Sequence, residues 1–283
     1  MRLYFIIALT ITSFPLAYPT SLSNTDLALQ DKIIIQSSSA ADSTITDTTQ
    51  SQNTSDVSRE VNDSLGINVP EGISAQDIID DYVEVIGGEE KLYSIIDRTT
   101  IMNGSVQGFD VTMIIYQKAP NKRKQLTKVG GSEQQLIYNG ERGIMKMGVK
   151  EEKITGAELE KLKYESTIAL LPEHEYYGIT LNLEGVEIVD SVEAYKVIMT
   201  LPSGIKWTQY YDTETHLKVK ESKYVKTPAG LFEQEIWYDD YQEIEGIKYP
   251  FKIKQKLGIQ IMEFNVSSIK VNTGLAEREF EID

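Results

Sequence analysis

Trp237-Tyr238-Asp239-Asp240-Tyr241-Gln242-Glu243-Ile244-Glu245-Gly246-Ile247-Lys248-Tyr249-Pro250-Phe251 decides the fold. A short acidic turn containing Gly246 separates two alternating runs. After it, Ile247, Tyr249, Phe251, Ile253, Gln255 and Leu257 share one parity, and Lys248, Pro250, Lys252, Lys254 and Lys256 share the other. Strand side chains point to opposite faces with period two, so this is a strand with one dry and one wet side. Its neighbours carry the same pattern, and the unit is a long antiparallel meander.

Working outward, Ile179–Val189 and Tyr195–Leu201 form an expected pair, followed by strands Ile205–Tyr211, Leu217–Lys226, Leu231–Tyr241, Ile247–Leu257 and Ile259–Val271. Upstream, Ile95–Val106, Phe109–Gln117, Lys122–Val129, Glu133–Tyr138 and Gly143–Met147 alternate too, with turn residues at Gln107-Gly108, Ala119-Pro120-Asn121, Gly130-Gly131 and Asn139-Gly140. Two stretches have helical spacing instead. One starts at a Ser74/Asp77 capping box, runs through Ile78, Ile79, Tyr82, Val83 and Ile86, and stops at Gly87-Gly88. The other covers 156–171, with Leu159, Leu162 and Ile168 on a face and Pro172 closing it. Many short, evenly spaced strands predict a barrel, half-barrel or sandwich.

The formal charge of −15 argues against nucleic acid or an anionic membrane surface as an electrostatic partner. The absence of cysteine excludes disulfides, thiolate metal sites and a cysteine nucleophile. Residues 1–17 have the charge and short apolar run of a secretory signal, which predicts export to the periplasm or cell envelope. Residues 18–68 are rich in Ser, Thr, Asp, Asn and Gln and read as a disordered linker. One β domain is expected over 69–283.

The opening Ala75-Gln76-Asp77-Ile78-Ile79-Asp80-Asp81-Tyr82-Val83-Glu84-Val85-Ile86-Gly87-Gly88 resembles the start of LolA-like outer-membrane lipoprotein-sorting proteins. It also resembles the Bacteroidetes-type domain attached to some insulinase-family zinc peptidases. The strand–acidic turn–strand block from Gly204 to Leu217 and the block from Tyr238 to Phe251 fit the same pattern. The resemblance implies a mainly β, curved antiparallel half-barrel, with an N-terminal and a mid-chain helix covering the concave face. It further implies a lipid or a lipoprotein acyl chain as partner.

Candidate chemistry is sparse. His174-Glu175-Tyr176-Tyr177-Gly178 begins like a zinc-peptidase motif but has glycine where the second histidine belongs. His216 stands alone in a turn, and carboxylate pairs such as Asp80/Asp81 and Asp239/Asp240 are expected to be solvated. Lys122-Arg123-Lys124 reads as a solvated strand end. No enzyme, metal or cofactor is expected. Parity nominates Met113, Ile115, Tyr195, Val197, Met199, Trp207, Trp237, Phe251 and Phe264 to line an apolar groove for an acyl chain. The alternative is an accessory module partnering an envelope zinc peptidase or membrane protein, with no ligand of its own.

Overall fold

A computed structural model describes residues 71–106, 108–227 and 230–283. The expected signal segment and linker lie outside the described residues. Helix α1 (Ala75–Ile86) and a short α2 (Glu89–Tyr93) precede strands β1 (Asp97–Val106), β2 (Phe109–Lys118), β3 (Lys122–Val129), β4 (Ser132–Tyr138), β5 (Gly143–Met147) and β6 (Lys150–Ile154). Helix α3 (Gly156–Ser166) follows, then β7 (Thr180–Val189), β8 (Val192–Thr200), β9 (Lys206–Asp212), β10 (Lys218–Thr227), β11 (Gly230–Ile244), β12 (Ile247–Leu257) and β13 (Gln260–Val271). A 3-10 turn, Glu277–Phe280, closes the chain.

All thirteen strands form one open antiparallel sheet in the order β6-β5-β4-β3-β2-β1-β13-β12-β11-β10-β9-β8-β7. The expected mainly β, unclosed architecture is therefore present. The deciding turn is tight: Ile244 pairs with Ile247, and Glu245 and Gly246 both have positive φ (53° and 76°). Left-handed backbone at both central residues is the hairpin geometry that matches strand twist.

The sheet is strongly rolled. Leu162 of α3 packs with Leu136, Tyr138, Met145 and Ile154 on β4 to β6, whereas Tyr164 packs with Met199 on β8, Trp207 on β9 and Leu201 between them. In a flat sheet β4 and β8 would lie about 43 Å apart at ~4.8 Å per strand. A helix of this length spans only ~16 Å. Bridging both ends requires the sheet to curl, with α3 wedged across the opening between its edges.

Helix α1 covers the other part of the inner face. Its capping box is formed, with Ser74 Oγ accepting from the Asp77 N–H at 3.2 Å and the Ser74 N–H donating to Asp77 at 2.8 Å. Ile78, Ile79, Tyr82, Val83 and Ile86 pack on Val197, Tyr211, Ile247 and Tyr249. A Cβ at Gly87 would lie 2.6 Å from the Gly246 carbonyl oxygen, so glycine lets the helix end press against the β11–β12 turn.

Three expectations are corrected. Helix α3 ends at Ser166, not near Leu171. The Ser166 and Thr167 hydroxyls donate to the Leu162 and Lys163 carbonyls at 2.6 and 3.0 Å, and the Ile168 N–H donates to Pro120 O at 3.2 Å. These local bonds compete with helix continuation. Strand β6 was not expected, because Lys150-Glu151-Glu152-Lys153 offers no apolar alternation; it is a charged edge, which discourages strand addition. Nor is Lys122-Arg123-Lys124 a solvated end. Lys122 pairs with Glu277 and Lys124 with Glu279 at 2.9 Å, while Arg123 turns inward and is buried.

The C-terminal strap is held by Asp97. Its carboxylate accepts from the N–H groups of Thr273, Gly274 and Leu275 at 2.9, 2.8 and 3.0 Å, and from the Thr273 hydroxyl at 3.1 Å. Burial alone would raise the Asp97 carboxyl, but these bonds hold it below the ordinary carboxylate value. A depressed folded value stabilises the strap above the unfolded pKa and is lost as pH falls through the folded one. Asp97→Ala is expected to cost about 2–3 kcal/mol. Hydrogen exchange should show protection lost at Thr273 to Leu275, and wild type should lose the same protection in acid below about pH 4. Unchanged protection in Asp97→Ala would refute this role.

Candidate functional site

A cavity of about 330 Å3 opens on the inner face, between the apolar cluster under α1 and the cluster on β1, β2 and β13. Small-molecule sites occupy roughly 300–1,000 Å3. Its wall is of two kinds. Met102, Ile115, Ile253, Val266 and Leu171 supply apolar surface. Arg98, Arg123, Lys218 and Lys223 supply positive charge, against the carboxylates of Glu165 and Glu221.

Strand parity brings the charged groups together. Arg98 lies opposite Gln117 on β2, and Gln117 lies opposite Arg123 on β3, so the three form a row across adjacent strands. Arg98 donates to Gln117, and Arg123 donates to Gln125 at 2.8 Å and to the Glu165 carbonyl at 3.3 Å. From the far wall, Lys223 on β10 reaches Glu165 Oε1 at 2.6 Å. Strands β3 and β10 would lie about 29 Å apart in a flat sheet. Their meeting at Glu165 is a direct consequence of the roll.

Electrostatics follow from burial and from the neighbours. Burial would raise the Glu221 carboxyl, yet Lys218 and Lys223, with hydrogen bonds from Lys218 and Tyr238, bring it down to about 2. Burial, then the Glu221 charge, pushes the Tyr238 phenol well above its ordinary value. For Arg123, burial lowers the guanidinium, Glu165 pulls it back up, and Arg98 adds a further push down. Among the described residues, five buried polar atoms in this wall have no hydrogen-bond partner: Arg98 Nε, Arg123 Nε, Glu165 Oε2, Trp207 Nε1 and the Tyr249 hydroxyl.

Of the nine nominated residues, Ile115 and Trp207 line the cavity. Met113, Phe251 and Phe264 belong to the adjoining cluster on β1, β2, β12 and β13, and Tyr195 and Val197 lie under α1. Met199 is fully buried beside Tyr164 and Trp207. Trp237 is on the opposite, outer face. It pairs across from Lys220 and Lys254, whose ammonium groups sit 4.9 and 4.5 Å from its ring, and it packs with Val189, Ala194 and Tyr210. A cation over an indole face accounts for an aromatic there without an inward role. Sequence reasoning missed Arg98, Gln117, Arg123, Glu221 and Lys223. Each has inward parity but none is apolar.

The histidines do not converge. His174 is buried, with Nδ1 2.8 Å from the Leu171 carbonyl oxygen, and His216 lies 3.3 Å from Asp81. Among the described residues no group of three histidine or carboxylate side chains is arranged as a metal site.

No protein-family model matches the sequence, and no curated protein matches it. Solved structures do resemble it. A DUF1329 family protein from Desulfovibrio piger is 14% identical over 73% of this chain and 97% of its own, with a TM-score of 0.49. A LolA superfamily protein from Nitrosomonas europaea is 13% identical over 75% and 99%, with a TM-score of 0.48. An outer membrane lipoprotein-sorting protein domain from Vibrio parahaemolyticus is 12% identical over 71% and 97%, with a TM-score of 0.46. At these values the likeness decides nothing about ligand or partner.

Proposed function

We propose that this chain is an exported, non-enzymatic binding protein that carries a lipid or a lipoprotein acyl chain on the inner face of its half-barrel. One observation carries the reading: the inner face is filled under α1 and on β1, β2 and β13 but leaves a partly open cavity between them, walled in part by Met102, Ile115, Ile253, Val266 and Leu171. Burying apolar surface contributes about 25 cal/mol per Å2, so an alkyl chain laid along these residues gains enough to be held.

The decisive experiment is purification from the native envelope, solvent extraction and mass spectrometry, with uptake of a fluorescent fatty acid by the stripped protein. Co-extracted lipid and saturable uptake are expected. An empty protein that takes up no probe would end this reading, and stable co-purification with a zinc peptidase would favour the accessory-module alternative.

A further inference from the structure

We infer that the cavity selects amphiphiles with an anionic headgroup, a carboxylate or phosphate oxyanion seated among Arg98, Arg123, Trp207 and Tyr249, with the alkyl chain against the apolar wall. This rests on the carrier reading and adds a headgroup class to it. Four cations against two carboxylates leave the wall with a net positive charge, inside a protein whose formal charge is −15. That local inversion is costly to keep buried unless something balances it.

The unpartnered atoms agree in kind. Arg98 Nε, Arg123 Nε, Trp207 Nε1 and the Tyr249 hydroxyl all carry hydrogens to donate, and only Glu165 Oε2 has none. Arg123, Trp207 and Tyr249 are each more than nine-tenths buried, and an unmet buried donor is costly. The Arg98 guanidinium carbon lies over the Tyr249 ring, 5.2 Å from its centre. An oxyanion is the ligand group that accepts several such bonds at once, with charge assistance from two guanidinium groups. Glu165 and Lys223 occupy each other and set the far limit of the polar end.

The test uses the purified, delipidated protein and three probes: laurate, dodecanol and inorganic phosphate. Laurate is expected to bind at least about tenfold more tightly than dodecanol, with the preference shrinking as salt rises. Trp207→Phe, which removes the indole N–H together with part of the ring, and Arg98→Gln should each narrow the laurate-to-dodecanol ratio severalfold, and thermal melts confirm that each variant is folded. Equal binding of laurate and dodecanol would overturn the headgroup inference and leave the carrier reading standing. Failure of both to bind would overturn both. Phosphate binding as tightly as laurate would mark a free-anion site, and would overturn the amphiphile inference and the carrier reading.

Discussion

Gly104→Ala is expected to destabilise the protein by about 3 kcal/mol or more, or to prevent folding. A Cβ at this position would lie 2.2 Å from the Glu263 carbonyl oxygen and 2.9 Å from the Phe264 ring. The first contact is with backbone, so no rotamer change relieves it. Gly104 pairs directly with Phe264 across the β1–β13 boundary. That boundary joins the first six strands to the last seven, and pushing it apart breaks the ladder where no hairpin holds the partners together. Ser105→Ala, one residue along on the exposed side, is the control and should stay within about 0.5 kcal/mol. Denaturant midpoints measure both. A Gly104→Ala variant within 1 kcal/mol of wild type would show that the two strands can separate at no cost.

Removing the Glu165 carboxylate is the second large effect. Glu165 Oε1 and Lys223 Nζ are 2.6 Å apart, with side chains 8% and 5% exposed. Glu165→Ala leaves the Lys223 ammonium buried, with Glu221 at 3.9 Å as its remaining counter-charge among the described residues. Breaking a buried pair by deleting one partner costs about 3–5 kcal/mol, mostly from the stranded charge. The double variant Glu165→Leu with Lys223→Met should regain most of that loss, because neither charge then needs burial. The four stabilities of this cycle give the coupling directly. A double variant no better than Glu165→Ala would mean that Glu165 acts through packing alone.

The architecture was legible because hydrophobic parity, turn residues and the Ser74/Asp77 cap all pointed the same way. Ile247 and Tyr249 are buried as their alternation predicts, and the Glu245-Gly246 turn falls where the acidic break stood. The exceptions share a cause. Strand β6 is held by backbone pairing to β5 and carries an edge's charges, so no apolar period marks it. Trp237 misled because the outer face has a small apolar cluster of its own. The polar wall was invisible to a reading that equates inward with apolar. Arg123, Gln125 and Thr127 alternate inward along β3 as regularly as Ile253 and Gln255 do along β12. Their alternation is present in the sequence, but with no apolar residue to mark the inward side their chemistry becomes intelligible only when the roll brings Lys223 and Glu165 against them.

Apart from β1 with β13, every hydrogen-bonded neighbour in the sheet is also a neighbour in sequence, and only β6 and β7 are consecutive without pairing. Each half can therefore zip up hairpin by hairpin, with short loops and little closure entropy for each step. The remaining junction must wait until more than a hundred residues have been drawn together, so it should govern the refolding rate. Unfolded chains would then persist on the way to the native state as two loosely tethered fans. Chaperone demand should fall on the interval before the last strand docks.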